Sequence, residues 1–213
     1  MKASLATLVA AVLLGGTSCV LAASNVDLTV KGSITPSACV PNLTQGGTVD
    51  YGKIPAKDLS VDTPTEFAPA TLQLSIACEA PTLFALNAKD NRFGSSLFPN
   101  LTWYYGLGYV NGTQKLGSYS LDLLNPVADS DVFPIHSFDQ GQSWSKFAGG
   151  MMRHTYWNSF SDTPGVGGPY FPKALRAVTA DLQIITFVAP SKDLPLREEV
   201  PLDGSASLDL LYL

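Results

Sequence analysis

The chain has 213 residues and a formal net charge of −5, with 13 basic against 18 acidic side chains. This mild acidity argues against a nucleic-acid-binding protein, which would present a basic face. The 15 prolines and 18 glycines interrupt the chain too often for long helices. Length and composition therefore favour a single β-rich domain.

The N-terminus has the pattern of a secretory signal peptide. Lys2 supplies a positive charge, an apolar run covers residues 5–14, and Val20-Leu21-Ala22 suits a cleavage site. We therefore expect residues 1–22 to be removed during export. The apolar run is shorter than the roughly 20 residues of a membrane-spanning helix. The alternative is a lipoprotein acylated at Cys19.

Short alternating segments predict β-strands along most of the chain. In the first of them, Val26, Leu28 and Val30 alternate with polar residues. Asn111-Gly112, between two later segments, is typical of a tight hairpin turn. The other predicted strands cover residues 48–52, 72–78, 83–88, 103–110, 116–123, 178–184 and 206–213. This series predicts an all-β antiparallel sandwich.

Residues 125–173 differ from the rest, because they are rich in Gly, Pro, Ser and aromatic residues and alternate only weakly. They predict a long loop or a hairpin insertion. Exposed rings in residues 144–171 would stack on sugars, whereas buried rings would pack the loop, and the sequence favours packing. A secreted or periplasmic carbohydrate-binding β-sandwich domain is the alternative function that these rings keep open.

The two cysteines that remain after export, Cys39 and Cys78, predict a disulfide. Closing a loop of this length would contribute about 4 kcal/mol in the chain-entropy model. The spacing excludes a CxxC redox pair. A reactive thiol is the functional alternative.

The C-terminal strand is apolar and has few charges that would protect its edge. Ala206, Leu208, Leu210 and Tyr212 fall on one predicted face, and we expect the strand to be held in place up to Leu213. An exposed apolar edge invites pairing with another chain. Two arrangements would cover this edge. The strand pairs with a neighbour inside one sandwich, or the N-terminal strand of another copy adds to the sheet by β-augmentation.

Four segments and one residue carry a resemblance to a known family. The segments are residues 30–39, which end at Cys39, residues 49–52 (VDYG), residues 84–92 (FALNAKDNR) and residues 200–206 (VPLDGSA). The residue is the penultimate Tyr212. In these positions the chain resembles chaperone–usher fimbrial subunits of Gram-negative bacteria, in particular the major subunits of the beta-fimbria type.

The resemblance implies an incomplete immunoglobulin-like sandwich that lacks its last strand. Residues 23–32 would be the donor segment, with Val26, Leu28 and Val30 as its apolar anchors, and residues 33–213 the pilin-like domain. The acceptor strand would carry Ala206, Leu208, Leu210, Tyr212 and Leu213. A periplasmic chaperone, an outer-membrane usher and neighbouring subunits are the implied partners, with a host or surface glycan as a further one. The implied location is the periplasm and then a cell-surface fimbrium that contributes to adhesion.

The sequence offers little support for catalysis, for a cofactor or for a metal site. His136 and His154 are the only histidines, and neither lies in a catalytic or metal-binding motif. Asp129-Ser130-Asp131 is only a weak calcium signal. We therefore expect a protein that is not an enzyme.

Residues 137–144 fit the Asp-box pattern S-x-D-x-G-x-[ST]-W. Sialidases carry this motif in several copies, together with an arginine cluster, whereas this chain has one copy. A structural turn is the expected role. A sialidase-like hydrolase is the enzymatic alternative.

Overall fold

The computed structural model describes residues 28–31, 38–146, 149–164 and 167–213. The predicted signal peptide and Val26 lie outside these residues. The chain divides into two compact units, residues 1–34 and 35–213. In the first unit, residues 28–31 belong to no strand, and the side chains of Leu28 and Val30 are 89% and 88% exposed.

The second unit is built from two antiparallel sheets. The first sheet has the spatial order β1 (Cys39–Leu43), β3 (Ala70–Thr82), β12 (Leu175–Val188), β8 (Gly117–Ala128) and β5 (Tyr104–Gly106), and β2 (Thr65–Glu66) also pairs with β12. The second has the order β10 (Ser145–Lys146), β9 (Phe133–Ser137), β11 (Trp157–Ser161), β4 (Phe84–Asp90) and β13 (Ala206–Tyr212). The predicted all-β fold is confirmed, since the only helical segments among the described residues are 3-10 turns at Thr44–Gly47, Ala56–Asp58 and Ser191–Asp193.

The core lies where the alternating pattern predicts it. Every second side chain of β3 points inward, and every second side chain of β12 packs beside it. Burying one such aliphatic side chain contributes about 1.5–3 kcal/mol. The predicted apolar faces of these two strands are all buried, namely Leu72, Leu74, Ile76, Cys78, Val178, Ala180, Leu182 and Ile184.

A linker of one residue joins the two sheets between β3 and β4. β3 ends at Thr82 in the first sheet and β4 begins at Phe84 in the second, with only Leu83 between them. β4 then adds Phe84, Leu86 and Ala88 to the same core. This direct crossing fixes the second sheet against the first.

The hairpin predicted at Asn111-Gly112 is present as β6 (Tyr109–Val110) and β7 (Gln114–Lys115). Asn111 and Gly112 have φ values of 51° and 76°, and the Thr113 N–H donates to the Val110 carbonyl over 3.3 Å. Asn and Gly tolerate positive φ better than other residues, which is why this dipeptide forms the turn.

Two sequence predictions differ from the structure. Residues 48–52 form no strand, although Val49 packs against the core. The segment 125–173 is more than a loop or an insertion, because it completes β8 and supplies β9, β10 and β11 of the second sheet. Its weak alternation arises because its strands are short and four consecutive residues of β11, Asn158 to Ser161, are all buried.

The predicted disulfide between Cys39 and Cys78 is present, with an S–S distance of 2.02 Å, and it joins β1 to β3. It closes a separation of 39 residues.

We predict that the double variant Cys39→Ser, Cys78→Ser unfolds at lower urea concentration, with a loss of about 2–4 kcal/mol in the free energy of unfolding. The matched control is the wild-type chain with its disulfide reduced by dithiothreitol, which should lose a similar amount. An unchanged urea midpoint in both samples would contradict a stabilising role.

Candidate functional site

A cavity of about 650 Å³ lies between the two sheets. Its floor is apolar and comes from the centre of the first sheet: Leu72, Tyr119, Leu121, Leu182 and Ile184. These side chains also belong to the hydrophobic core. The cavity therefore lies directly against the buried core of the first sheet.

The strand β13 forms one wall of this cavity. It pairs with β4 along one edge, from Ala206 opposite Asp90 to Tyr212 opposite Phe84. No strand of the described residues pairs with its other edge. Ala206 and Leu208 line the cavity, and Leu208 and Leu210 pack partly buried against the core. Three of the predicted acceptor residues thus lie on the face that the alternation indicates.

The opposite wall is the segment 47–54, which the sequence predicts in part as a strand. Val49 and Tyr51 line the cavity. The Tyr51 hydroxyl donates to Thr186 Oγ1 over 3.0 Å, and its ring contacts Phe67 edge-on at 5.1 Å. Side chains, rather than a ladder of backbone hydrogen bonds, therefore hold this wall, because residues 48–54 are in no strand.

Two hydrogen bonds hold the end of β13, outside the lining of the cavity. The backbone N–H of Cys39 donates to the Tyr212 hydroxyl over 2.9 Å, and the Leu213 N–H donates to the Leu83 carbonyl over 3.1 Å. The first contact links the edge strands of the two sheets. Sequence reasoning singled out Tyr212 and Leu213 but did not find these partners.

The rim of the cavity carries charged side chains, including Asp50, Lys53, Glu198 and Glu199. Lys53 Nζ lies 3.4 Å from Glu199 Oε2, and both side chains are exposed. A solvent-exposed ion pair of this kind contributes little to stability. The rim is thus polar and acidic, above an apolar floor.

Two of the segments that carry the family resemblance meet beside β13. Asn91 Nδ2 donates to the hydroxyls of Ser205 and Ser207, each over 3.0 Å. Arg92 Nε donates to the Asp203 carbonyl over 3.0 Å, and the Arg92 guanidinium forms an ion pair with the Asp203 carboxylate. These side chains hold the chain where it enters β13.

Gly204 lies at the same entry and is a residue whose role sequence reasoning missed. A Cβ atom at this position would lie 2.7 Å from Leu107 Cδ2 and 3.0 Å from Tyr119 Cε1. Only glycine lets the backbone approach these side chains so closely. The signal was present in the sequence as a glycine two residues before the predicted strand.

The Asp-box residues form a turn between β9 and β10. The Ser137 hydroxyl donates to Asp139 Oδ1 over 2.7 Å and accepts the Gly141 N–H over 2.7 Å. The Ser143 N–H and hydroxyl donate to the Asp139 carboxylate, and Trp144 Nε1 donates to the Gly141 carbonyl. The hydrogen bonds from Ser137 and Ser143 lower the pKa of Asp139 to about 2. The expected structural turn is confirmed.

The aromatic residues of segment 144–171 divide between packing and exposure. Phe160 is only 1% exposed, contacts Phe84 edge-on at 6.3 Å and belongs to the core, and Tyr170 is also buried. Trp144 and Trp157 are half-buried, whereas Phe171 is 66% exposed. Packing is confirmed for Phe160 and Tyr170.

His136 lies in β9, and His154 lies between β10 and β11. Burial lowers the pKa of both His136 and His154. Over the described residues, no group of three or more His, Cys, Asp or Glu side chains is arranged to hold a metal ion. The same part of the chain contains no helix that is long and apolar enough to cross a membrane.

The chain is similar to known proteins whose names state no activity. The family described as "Protein of unknown function (DUF1120)" matches residues 28–102. The chain is 29% identical to "Protein GltF" of Escherichia coli (strain K12), and the match covers 89% of each chain. It is 24% identical to "Uncharacterized protein YhcF" of the same strain, over 90% of this chain and 92% of that protein. These names make no statement about fimbriae, so the fimbrial interpretation has to rest on the cavity and its walls.

We predict that Tyr212→Phe loosens the link between the edge strands β1 and β13. The variant loses the acceptor of the Cys39 N–H, a hydrogen bond worth about 0.5–1.5 kcal/mol. Hydrogen exchange followed by NMR should show a faster-exchanging Cys39 amide. Tyr109→Phe is the matched control, because it removes an exposed hydroxyl that donates to the Gly94 carbonyl over 2.8 Å. Equal exchange of the Cys39 amide in both variants would contradict the proposed link.

We also predict that Asp139→Asn lowers the melting temperature in a pH-dependent manner. The ordinary pKa of an aspartate is about 3.9, so its lower pKa in the fold means that folding favours the ionised carboxylate. This stabilisation is complete above the ordinary pKa and is lost as the pH falls to about 2. The difference in melting temperature between wild type and variant should therefore shrink between pH 5 and pH 2. Asp131→Asn, outside the turn, is the control, and a difference that stays constant over this range would exclude the mechanism.

Proposed function

We propose that this chain is an exported structural subunit of the fimbrial type, which completes its fold by accepting a β-strand from another copy. One observation carries the proposal: the free edge of β13 lies beside a cavity with an apolar floor. A strand inserted there would pair with that edge and cover the floor at the same time.

The shape of the site favours a strand over a small molecule. The cavity volume alone would suit either, since small-molecule pockets commonly measure about 300–1,000 Å³. A small apolar molecule would cover Leu72 and Leu182 but would leave the outward N–H and C=O groups of β13 without a protein partner. A strand satisfies both requirements, and this is the usual solution for an open sheet edge.

The N-terminal segment has the pattern that such a strand needs. Val26, Leu28 and Val30 alternate with polar residues, and Leu28 and Val30 are almost fully exposed. At about 3.3 Å per residue, residues 26–30 span about 13 Å, the same length as residues 206–210 of β13. Three apolar side chains would then face the floor, each contributing about 1.5–3 kcal/mol on burial.

The proposal includes the partners that the resemblance implies. A periplasmic chaperone would cover the free edge of β13 before assembly, an outer-membrane usher would export the subunit, and neighbouring subunits would exchange strands at the cell surface. Support comes from the open edge and from the residues around Arg92 and Asp203 that match the family motifs.

We predict that two complementary variants separate the donor from the acceptor. The first variant, Leu28→Asp with Val30→Asp, keeps its cavity but has a defective donor segment. The second variant, Leu208→Asp, keeps its donor segment but has a defective cavity. Neither should form fibres alone, because each lacks one half of the contact. Mixed in equal amounts, they should form a dimer and stop there, as measured by light scattering and electron microscopy.

The control is Val127→Asp, which changes an exposed valine of β8 outside the cavity wall and should assemble like wild type. Fibres from either single-defect variant would refute donor-strand exchange, as would a mixture that stays monomeric. A wild-type chain that folds and remains a monomer at high concentration would favour the self-contained carbohydrate-binding domain instead.

A further inference from the structure

Arg153 lies between two aromatic rings on the surface of the second unit. Its guanidinium carbon is 4.9 Å from the centre of the Trp103 ring and 5.0 Å from the centre of the Tyr156 ring. Contacts of this kind stabilise a cation and hold the planar group in a fixed orientation. All three side chains are half-buried, so each keeps part of its surface in contact with solvent.

The row of rings continues beyond Tyr156. The centre of the Tyr156 ring lies 5.3 Å from that of His136 and 6.3 Å from that of Phe138, whose side chain is 63% exposed. We call these five residues, Trp103, His136, Phe138, Arg153 and Tyr156, the aromatic platform. Isolated apolar side chains are common on protein surfaces, whereas contiguous apolar patches mark interaction sites, so this row of rings is a candidate.

The backbone under the platform is held by hydrogen bonds at several points. The Tyr156 N–H donates to the Arg153 carbonyl over 3.0 Å, which forms a tight turn between the two residues. The His154 N–H donates to the Thr102 carbonyl over 3.1 Å, which places this turn beside Trp103. Phe138 follows the first residue of the Asp-box turn. The platform is therefore formed before any ligand binds, which reduces the entropy cost of binding.

The charge of the platform is opposite to that of the whole chain. The chain has a net charge of −5, whereas the platform has Arg153 at its centre and no carboxylate among its members. Asp139 is adjacent in sequence, but its carboxylate accepts hydrogen bonds from Ser137 and Ser143 within the turn. A guanidinium carries five N–H donors, which is enough for a ligand carboxylate in addition to a protein partner.

We propose that the aromatic platform binds an acidic saccharide. The C–H faces of the sugar rings pack on Trp103, Tyr156 and Phe138, and a sugar carboxylate pairs with Arg153. The choice of a carboxylated sugar follows from the combination of flat rings with one fixed cation, which neither a neutral sugar nor a flexible acidic peptide would match equally well. This inference does not depend on the proposed function, because no platform residue lines the cavity.

The test is calorimetric titration of the full exported chain with a hexamer of galacturonic acid, with cellohexaose and with hexaglutamate. The acidic saccharide should bind most tightly. Trp103→Ala should weaken that binding about tenfold, the loss expected when a contact worth about 1.4 kcal/mol is removed. Arg153→Gln should remove the preference for galacturonate over cellohexaose, and Arg153→Lys should keep the charge but recover only part of the affinity.

The matched control is Phe171→Ala, which removes an exposed ring outside the platform and should bind like wild type. Melting temperatures of all variants separate lost binding from lost folding. Equal affinity for the three ligands, no affinity for any of them, or galacturonate binding that survives both Trp103→Ala and Arg153→Gln in folded protein would overturn the proposal.

Discussion

The antiparallel pairing between β4 and β13 is the contact on which the rest of the molecule depends. It attaches the last strand along one edge only, so the other edge remains free beside the cavity. The ion pair between Lys89 and Asp209 joins these two strands, and Asn91 and Arg92 fix the approach to β13. Because β4 continues from β3 with only Leu83 between them, the position of the free edge is coupled to the first sheet.

The hydrogen bond at the end of β13 connects this strand to the disulfide-bonded Cys39. The Cys39 N–H that binds the Tyr212 hydroxyl belongs to a residue that is also bonded to Cys78 in β3. One hydrogen bond therefore connects the end of β13 to Cys39, and the disulfide connects Cys39 to β3 of the first sheet. Disulfides form and persist in oxidising compartments. The export that we propose from the signal-peptide pattern of residues 1–22 would place the chain in such a compartment.

The sequence predicts a strand correctly where apolar and polar residues alternate over a long segment. It fails where the structure depends on contacts between distant parts of the chain. The faces of β3 and β12 could be predicted, because Leu72 to Cys78 and Val178 to Ile184 repeat with period two in long strands. Residues 48–52 show the same pattern but form no strand, since no neighbouring strand of the described residues supplies a ladder. The cavity could not be predicted, because it depends on which two edges of different sheets face each other. The platform was missed for a similar reason, as Trp103, Phe138 and Arg153 are far apart in the sequence.

The family resemblance and the cavity therefore provide evidence of different kinds. Among the residues that carry the resemblance, Asp90 to Arg92 and Asp203 to Ala206 hold the start of β13 against β4. Their presence is informative about how β13 is built and says nothing about a receptor. A surface receptor would instead be recognised by side chains outside this framework, such as Arg153 between its two rings. Assembly and recognition would then reside on separate surfaces, so a change in one need not alter the other.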